Sequence, residues 1–128
     1  HVAQMNDTTG RLRISVDASP EPLPPLPAAI EVAAYRIALE GVTNAIRHAR
    51  ANTCRVRFTV TDDERPSSLI LTVTDDGAGL PANLQPGVGL VSMRERAEEL
   101  GGTCGVMSTP GRGTQVIATL PYATGRER

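Results

Sequence analysis

Five short segments of this chain alternate apolar and polar residues with a period of two: Leu12-Ile14-Val16, Cys54-Val56-Phe58-Val60, Leu69-Leu71-Val73, Cys104-Val106 and Val116-Ala118-Leu120. Alternation of this kind belongs to strands covered on one face and open on the other. Two longer stretches have helical spacing instead, one from about Pro27 to Ala49, the other from near Gly89 to Gly101-Gly102. Pro27 suits a first helical position, where its missing N–H costs little. Gly101 reads as a left-handed C-terminal cap. The second helix places Leu90, Met93, Ala97 and Leu100 on one stripe, with Arg94, Glu95, Glu98 and Glu99 facing water. "DDERPS" (62–67) is a turn that predicts a hairpin of the second and third strands, and a second hairpin turns near Pro110–Gly113. The order predicts an α/β (α+β) two-layer sandwich, its mainly antiparallel sheet covered on one face by helices. The strict strand–helix alternation of a doubly wound nucleotide fold is missing.

The length, 128 residues, suits one domain with a real core. Residues 10–121 hold all the periodic segments. The expectation for 1–9 is a disordered or vector-derived lead, and for 122–128 a flexible tail. "SPEPLPPLP" (19–27) is either a polyproline ligand or, the simpler reading, a stiff connector into the first helix. A net charge of −1 gives no bulk attraction to nucleic acid or anionic lipid. Phe58, Tyr35 and Tyr122 are the only aromatic residues, so no base-stacking platform and no direct nucleic-acid binding is expected. No apolar run approaches the roughly 20 residues of a membrane span. No basic-then-apolar leader opens the chain, so a cytoplasmic setting is expected, in a parent protein that is itself free or membrane-anchored. Cys54 and Cys104 read as small core residues of a reducing compartment. All 13 basic residues are arginine. A Walker-A loop needs lysine on the phosphates, and the eukaryotic-type protein kinase signature needs its strand lysine, so both are excluded.

Candidate chemistry sits in three places. The first helix is apolar around most of its circumference, with Ile30, Ala34, Ile37, Ala38, Val42, Ala45, Ile46 and Ala49 on that surface, and is expected to be covered nearly all round. A narrow polar stripe remains: Arg36, Glu40, Asn44 and Arg47, with His48 at its edge. It is either a solvated face or the lining of a site that offers a base, a hard-cation ligand and a phosphate partner. In "TVTDDGAGLPANLQPGVGL" (72–90), Asp75 and Asp76 end an apolar strand, where a carboxylate can accept from an exocyclic amine such as that of adenine. Gly77 and Gly79 let the backbone approach a ring, and "GVGL" opens the second helix with free N–H groups suited to phosphates. In "TPGRGTQV" (109–116), Thr114 follows a hairpin turn and would bring its hydroxyl near Asp75 if the two strands are neighbours.

In this order and spacing the segments resemble the ATP-binding catalytic domain of two-component sensor histidine kinases, a Bergerat-type fold shared with DNA gyrase, heat-shock chaperones and MutL proteins. "ALEGVTNAIRHA" resembles the N box, "DDGAGL" the first glycine box, "GVGLVSMRERAEELGG" the second, and "STPGRGTQVIATLP" the closing hairpin. The likeness covers roughly residues 10 to 121. The Met-Arg-Glu-Arg-Ala run and the Arg-His-Ala end of the N box further resemble the branch that pairs with LuxR-type response regulators.

The resemblance implies that Glu40 polarises the nucleophile, Asn44 ligates Mg²⁺, and Arg47 and His48 lie beside the phosphates of ATP. His48 is otherwise a packed residue at the helix end. It implies that Asp75 accepts from the adenine amine, helped by Thr114 and a water. Gly77, Gly79 and Leu80 would border the adenine. Gly87, Val88, Gly89 and Leu90 would form the phosphate end of a lid over residues 79 to 88. Met93 would close the pocket or, more simply, pack in the core. The phosphoacceptor histidine of such kinases lies on a separate dimerisation domain. His48 and His1 fit that role poorly, so the isolated domain is expected to be monomeric and to bind ATP without an acceptor of its own. Two other readings share the fold: an anti-sigma-type serine kinase, and a nucleotide-binding interaction module without catalysis.

Overall fold

The computed structural model describes residues 3–6, 12–48, 51–62, 66–77, 88–109 and 112–123. In chain order the elements are β1 (Ala3–Asn6), β2 (Arg13–Ser19), α1 (Ala28–His48), β3 (Thr53–Thr61), β4 (Ser67–Asp75), α2 (Val88–Glu99), β5 (Thr103–Thr109) and β6 (Gly113–Tyr122). The strands form one six-stranded sheet in the order β1-β2-β3-β4-β6-β5. β2 and β3 pair in parallel across the α1 crossover, and every other pairing is antiparallel. The predicted mixed, mainly antiparallel two-layer sandwich is thus what the chain adopts.

Both helices pack on one face. Ile37, Leu69, Leu71, Met93 and Leu120 are the largest fully buried side chains, and they join α1, α2, β4 and β6. Met93 is therefore core. Ala97 is likewise buried, while Arg94, Glu95, Glu98 and Glu99 are exposed, as the α2 stripe predicted. α2 ends with Gly101 at φ 78°. The Gly101 N–H donates to the Glu98 carbonyl at 3.0 Å and the Gly102 N–H to the Ala97 carbonyl at 2.8 Å, a Schellman closure.

Four expectations need correction. Residues 1–9 are not wholly an unstructured lead: Ala3–Asn6 pair with Arg13–Val16 as an edge strand. The tail does not begin at 122, because Tyr122 ends β6 opposite Ser67 and is buried, the last core-facing position of that alternation. Pro27 precedes the helix, and its carbonyl accepts the N–H groups of Ile30 and Glu31 at 3.0 and 3.1 Å. Finally, among the described residues α1 is covered on one side only. Val32, Tyr35, Leu39 and Ile46 are exposed, because the sheet and α2 occupy its opposite side.

Gly113, the first residue of β6, lies close against the end of β4. Gly113 has φ +106°, and a Cβ there would run into the Asp75 carbonyl oxygen and lie 3.2 Å from the Asp75 carbonyl carbon. Gly113→Ala is expected to lower stability by roughly 2–4 kcal/mol, combining left-handed strain with a backbone clash. Chemical denaturation checks this, and an unchanged midpoint would contradict the close approach.

Candidate functional site

β4 carries Leu69, Leu71 and Val73 on its core face, and the next core-facing position is Asp75. A carboxylate thus stands where the pattern calls for an apolar side chain, and it is only 9% exposed. Its Oδ1 accepts the Gly77 N–H at 2.9 Å. Thr114 lies directly opposite in the β4–β6 register, and its N–H also serves the carboxyl. Burial pushes the Asp75 pKa up, and the charge of Asp76 adds to this. The N–H groups of Gly77 and Thr114 pull the other way, and the net direction is upward.

Asp75 faces a narrow cleft. Asn44 and Gly41 of α1 form one wall, Val73, Thr114 and Val116 of the sheet the floor, and Leu90 and Val106 the far side. Gly41 explains how helix and sheet come this close, since a Cβ at 41 would sit 3.1 Å from three carbons of Val73. Glu40 precedes Gly41 and is half-buried, one turn before Asn44 on the same side of the helix. An amide and a buried carboxylate therefore face each other across a slot with apolar sides that encloses about 20 Å³, with the charged Glu40 beside it. Larger hollows lie nearby: one of about 560 Å³ on the other face of the sheet touches Asp75 and Asp76, and an apolar groove of about 470 Å³ beside Pro24, Pro25 and Tyr35 holds none of these polar groups, with Glu31 its one charged residue.

Of the residues singled out in the sequence, the fold brings Asn44, Asp75, Leu90 and Thr114 to one cleft, with Glu40 beside it. Gly77 is buried next to Asp75. Thr114 contributes differently from expectation: its N–H serves Asp75, whereas its hydroxyl lies 3.3 Å from Ser108 Oγ. Arg47 is exposed in the last turn of α1, and His48 is that helix's final residue. Val88 and Gly89 open α2. Gly79, Leu80, Gly87 and the rest of the expected lid before Val88 lie outside the described residues. Gly41, Val73 and Val116 were not foreseen as lining. Val73 and Val116 were legible as the core positions two before Asp75 and two after Thr114. Gly41 was legible as a helix-interior glycine, which costs about 1 kcal/mol and so asks for a packing reason.

Behind the site, Cys54 pairs with Asp75 in the β3–β4 register. Burial, then the charges of Asp75 and Asp76, push its thiol pKa up to about 12. Burial also raises that of Cys104. Both are free thiols, and both are buried. Neither is expected to react with iodoacetamide at pH 8 in the folded domain, and both should react once it is unfolded. Mass spectrometry of native and denatured samples checks this; labelling of native Cys54 would contradict the buried placement.

No group of three or more His, Cys, Asp or Glu side chains among the described residues could cage a metal. A hard cation held chiefly by phosphates still fits, because Mg²⁺ keeps waters and takes one or two protein oxygens. The half-buried Asn44 amide at the cleft wall offers one such oxygen.

A family profile described as "Histidine kinase-, DNA gyrase B-, and HSP90-like ATPase" matches residues 29–124. The chain is 38% identical over 91 residues to the signal transduction histidine-protein kinase/phosphatase UhpB of Salmonella typhimurium, a match covering 70% of this chain and 17% of that protein. It is 32% identical over 123 residues to the sensor histidine kinase YxjM of Bacillus subtilis, covering 96% of this chain and 29% of that one. The chain thus spans less than a third of these relatives. Its fold superposes on the blue-light activated histidine kinase of Erythrobacter litoralis with a TM-score of 0.72 at 24% identity, covering 91% of this chain and 37% of the other.

Proposed function

Because the chain belongs to the family of histidine kinase-, DNA gyrase B- and HSP90-like ATPases, as an ATP-binding catalytic domain of the histidine kinase type, we propose that the cleft between Asn44 and Asp75 seats ATP for transfer of its γ-phosphate to a histidine on a separate phosphoacceptor domain. The observation that carries this reading is the buried, donor-lined carboxylate of Asp75 at the floor of a cleft whose wall bears Asn44.

In this reading Asp75 accepts from the adenine amine while Gly77 and Thr114 hold it in place. Val73, Val116 and Leu90 exclude water from the ring. Asn44 would hold Mg²⁺ through its amide oxygen, and the ion would supply charge neutralisation on the phosphates. Arg47 and the first N–H groups of α2 face the phosphates, with Gly79, Leu80 and Gly87 to Gly89 belonging to the covering segment. His48 belongs to the same end. Glu40 orients the acceptor imidazole and draws off its proton as nitrogen attacks the γ-phosphorus and the bond to the β-phosphate oxygen breaks. A response regulator receives the phosphoryl group next, of the LuxR type by sequence likeness, and the domain works on the cytoplasmic side.

Selectivity tests the reading. Guanine presents a carbonyl where adenine presents its amine, and a carbonyl against the Asp75 carboxylate leaves two acceptors facing each other. Calorimetry is expected to show ATP binding at least about 30-fold tighter than GTP, the ratio set by one lost charge-assisted hydrogen bond. Equal affinity would remove Asp75 from adenine recognition.

A further inference from the structure

The second aspartate of the pair has no part in the roles above, yet it makes the more elaborate contact. Asp76 Oδ1 accepts the Asn52 N–H and the Thr53 N–H, each at 2.9 Å. The Asp76 N–H in turn donates to the Thr53 carbonyl at 3.3 Å, and the Asn52 carbonyl accepts the Arg13 N–H at 2.9 Å. Residues 51–53 are the chain that leaves α1 and enters β3. One side chain on the segment after β4 therefore grips the backbone that follows the helix bearing Asn44 and Arg47.

We propose that Asp76 is a positioning residue: its clasp on Asn52 and Thr53 holds the C-terminal half of α1 in register with Asp75, so that one nucleotide meets both ends of the site. This rests on the nucleotide reading above. The helix and β4 meet directly at Gly41 and Val73, in the middle of α1. Ile37, Ala38 and Ala45 are also buried, so the helix body is packed against the sheet and α2 along its length. The clasp adds a fixed point beyond that packing, on the chain that follows the last turn. Adenine needs only Asp75 and the apolar walls. The triphosphate needs the far end of α1 at a set distance from them, since misplacement by about 1 Å costs an oriented site heavily. The clasp survives an amide in place of the carboxylate, because a single carbonyl oxygen can accept both N–H groups. It does not survive truncation.

The experiment compares adenosine and Mg-ATP binding by calorimetry in the wild-type chain, Asp76→Ala and Asp76→Asn. Asp76→Ala is expected to keep adenosine affinity within about 3-fold while losing Mg-ATP affinity by about 10-fold or more, the scale of a broken charge-assisted contact. Asp76→Asn is expected to stay within about 3-fold of wild type for both ligands, since its oxygen restores the clasp. In the wild type, exchange of the Asn52 and Thr53 amides should slow on adding Mg-ATP and not on adding adenosine, a reading that stands even if the alanine variant folds poorly. Parallel loss of adenosine and Mg-ATP, equal losses in the two variants, or amides indifferent to Mg-ATP would each overturn the inference. Wild-type protein that binds neither ligand would overturn the nucleotide reading itself, which is a different failure.

Discussion

Asp75→Asn is expected to weaken ATP binding by about 30-fold or more while raising the thermal midpoint of the empty domain. The two effects have one origin. Burial, with Asp76 beside it, holds the Asp75 carboxyl above its usual range, against the pull of the Gly77 and Thr114 N–H groups. A raised folded-state pKa means that the folded chain holds the proton more tightly than the unfolded chain. The favourable contribution is therefore complete below the ordinary carboxylate value of 3.8 and is lost as the pH rises through the raised one. Above that raised value the ionised form opposes folding, and a neutral amide relieves it. In the empty domain the oxygen of the substituted amide accepts from Gly77 and Thr114, and its NH₂ points into the cleft. An adenine amine then meets a donor where it needs an acceptor. Calorimetry and a melting curve on the same preparation decide the matter. A variant that binds ATP as the wild type does, or that melts lower without nucleotide, would show that Asp75 is structural.

The second large effect separates binding from chemistry along α1. Asn44→Ala removes the amide of a residue that lines the cleft, so Mg-dependent ATP affinity should fall by about 10-fold, with metal-free affinity nearly unchanged. Glu40→Gln keeps its shape beside the cleft and removes its charge. ATP affinity should stay within a few-fold, while phosphate transfer to an added phosphoacceptor domain falls by about 10²-fold or more, as expected for loss of a positioned base. Each variant therefore needs two measurements: nucleotide affinity with and without Mg²⁺, and acid-labile phosphate incorporated into the acceptor. Parallel loss of binding and transfer in Glu40→Gln would place Glu40 with the ligand-holding groups.

Strong local periodicity was legible before the fold was seen. The α2 stripe from Leu90 to Leu100, its Gly101 cap and the five alternating strands all depend on neighbours a few residues apart. β1 was not legible, because Ala3–Asn6 is short and joins the sheet at its edge. The bare side of α1 was not legible either. Val32, Tyr35, Leu39 and Ile46 look like core residues in a helix so apolar, and only the count of layers shows that nothing described packs on them. At the site, the Asp75–Thr114 pairing could be stated conditionally, since it needed only adjacent strands in the right register. The Asp76 clasp could not, because it joins a side chain to backbone groups 23 and 24 residues earlier, a contact with no periodic trace.

The order of strands in the sheet has a consequence for how the protein is made. β4 lies between β3 and β6, and β5 touches the sheet only through β6. During synthesis α1, β3 and β4 leave the ribosome first, and β4 is then an open edge with its outer N–H and C=O groups unpaired. β5 has no place to dock until β6 has emerged, so the last two strands must add as a single hairpin. Until that moment Asp75 lacks Thr114, and the cleft lacks Val106 and Val116. If this cleft is the nucleotide's seat, as proposed, a nascent chain stalled before Gly113 lacks the Thr114 and Val116 side of it, and the seat is complete only once the sheet has closed.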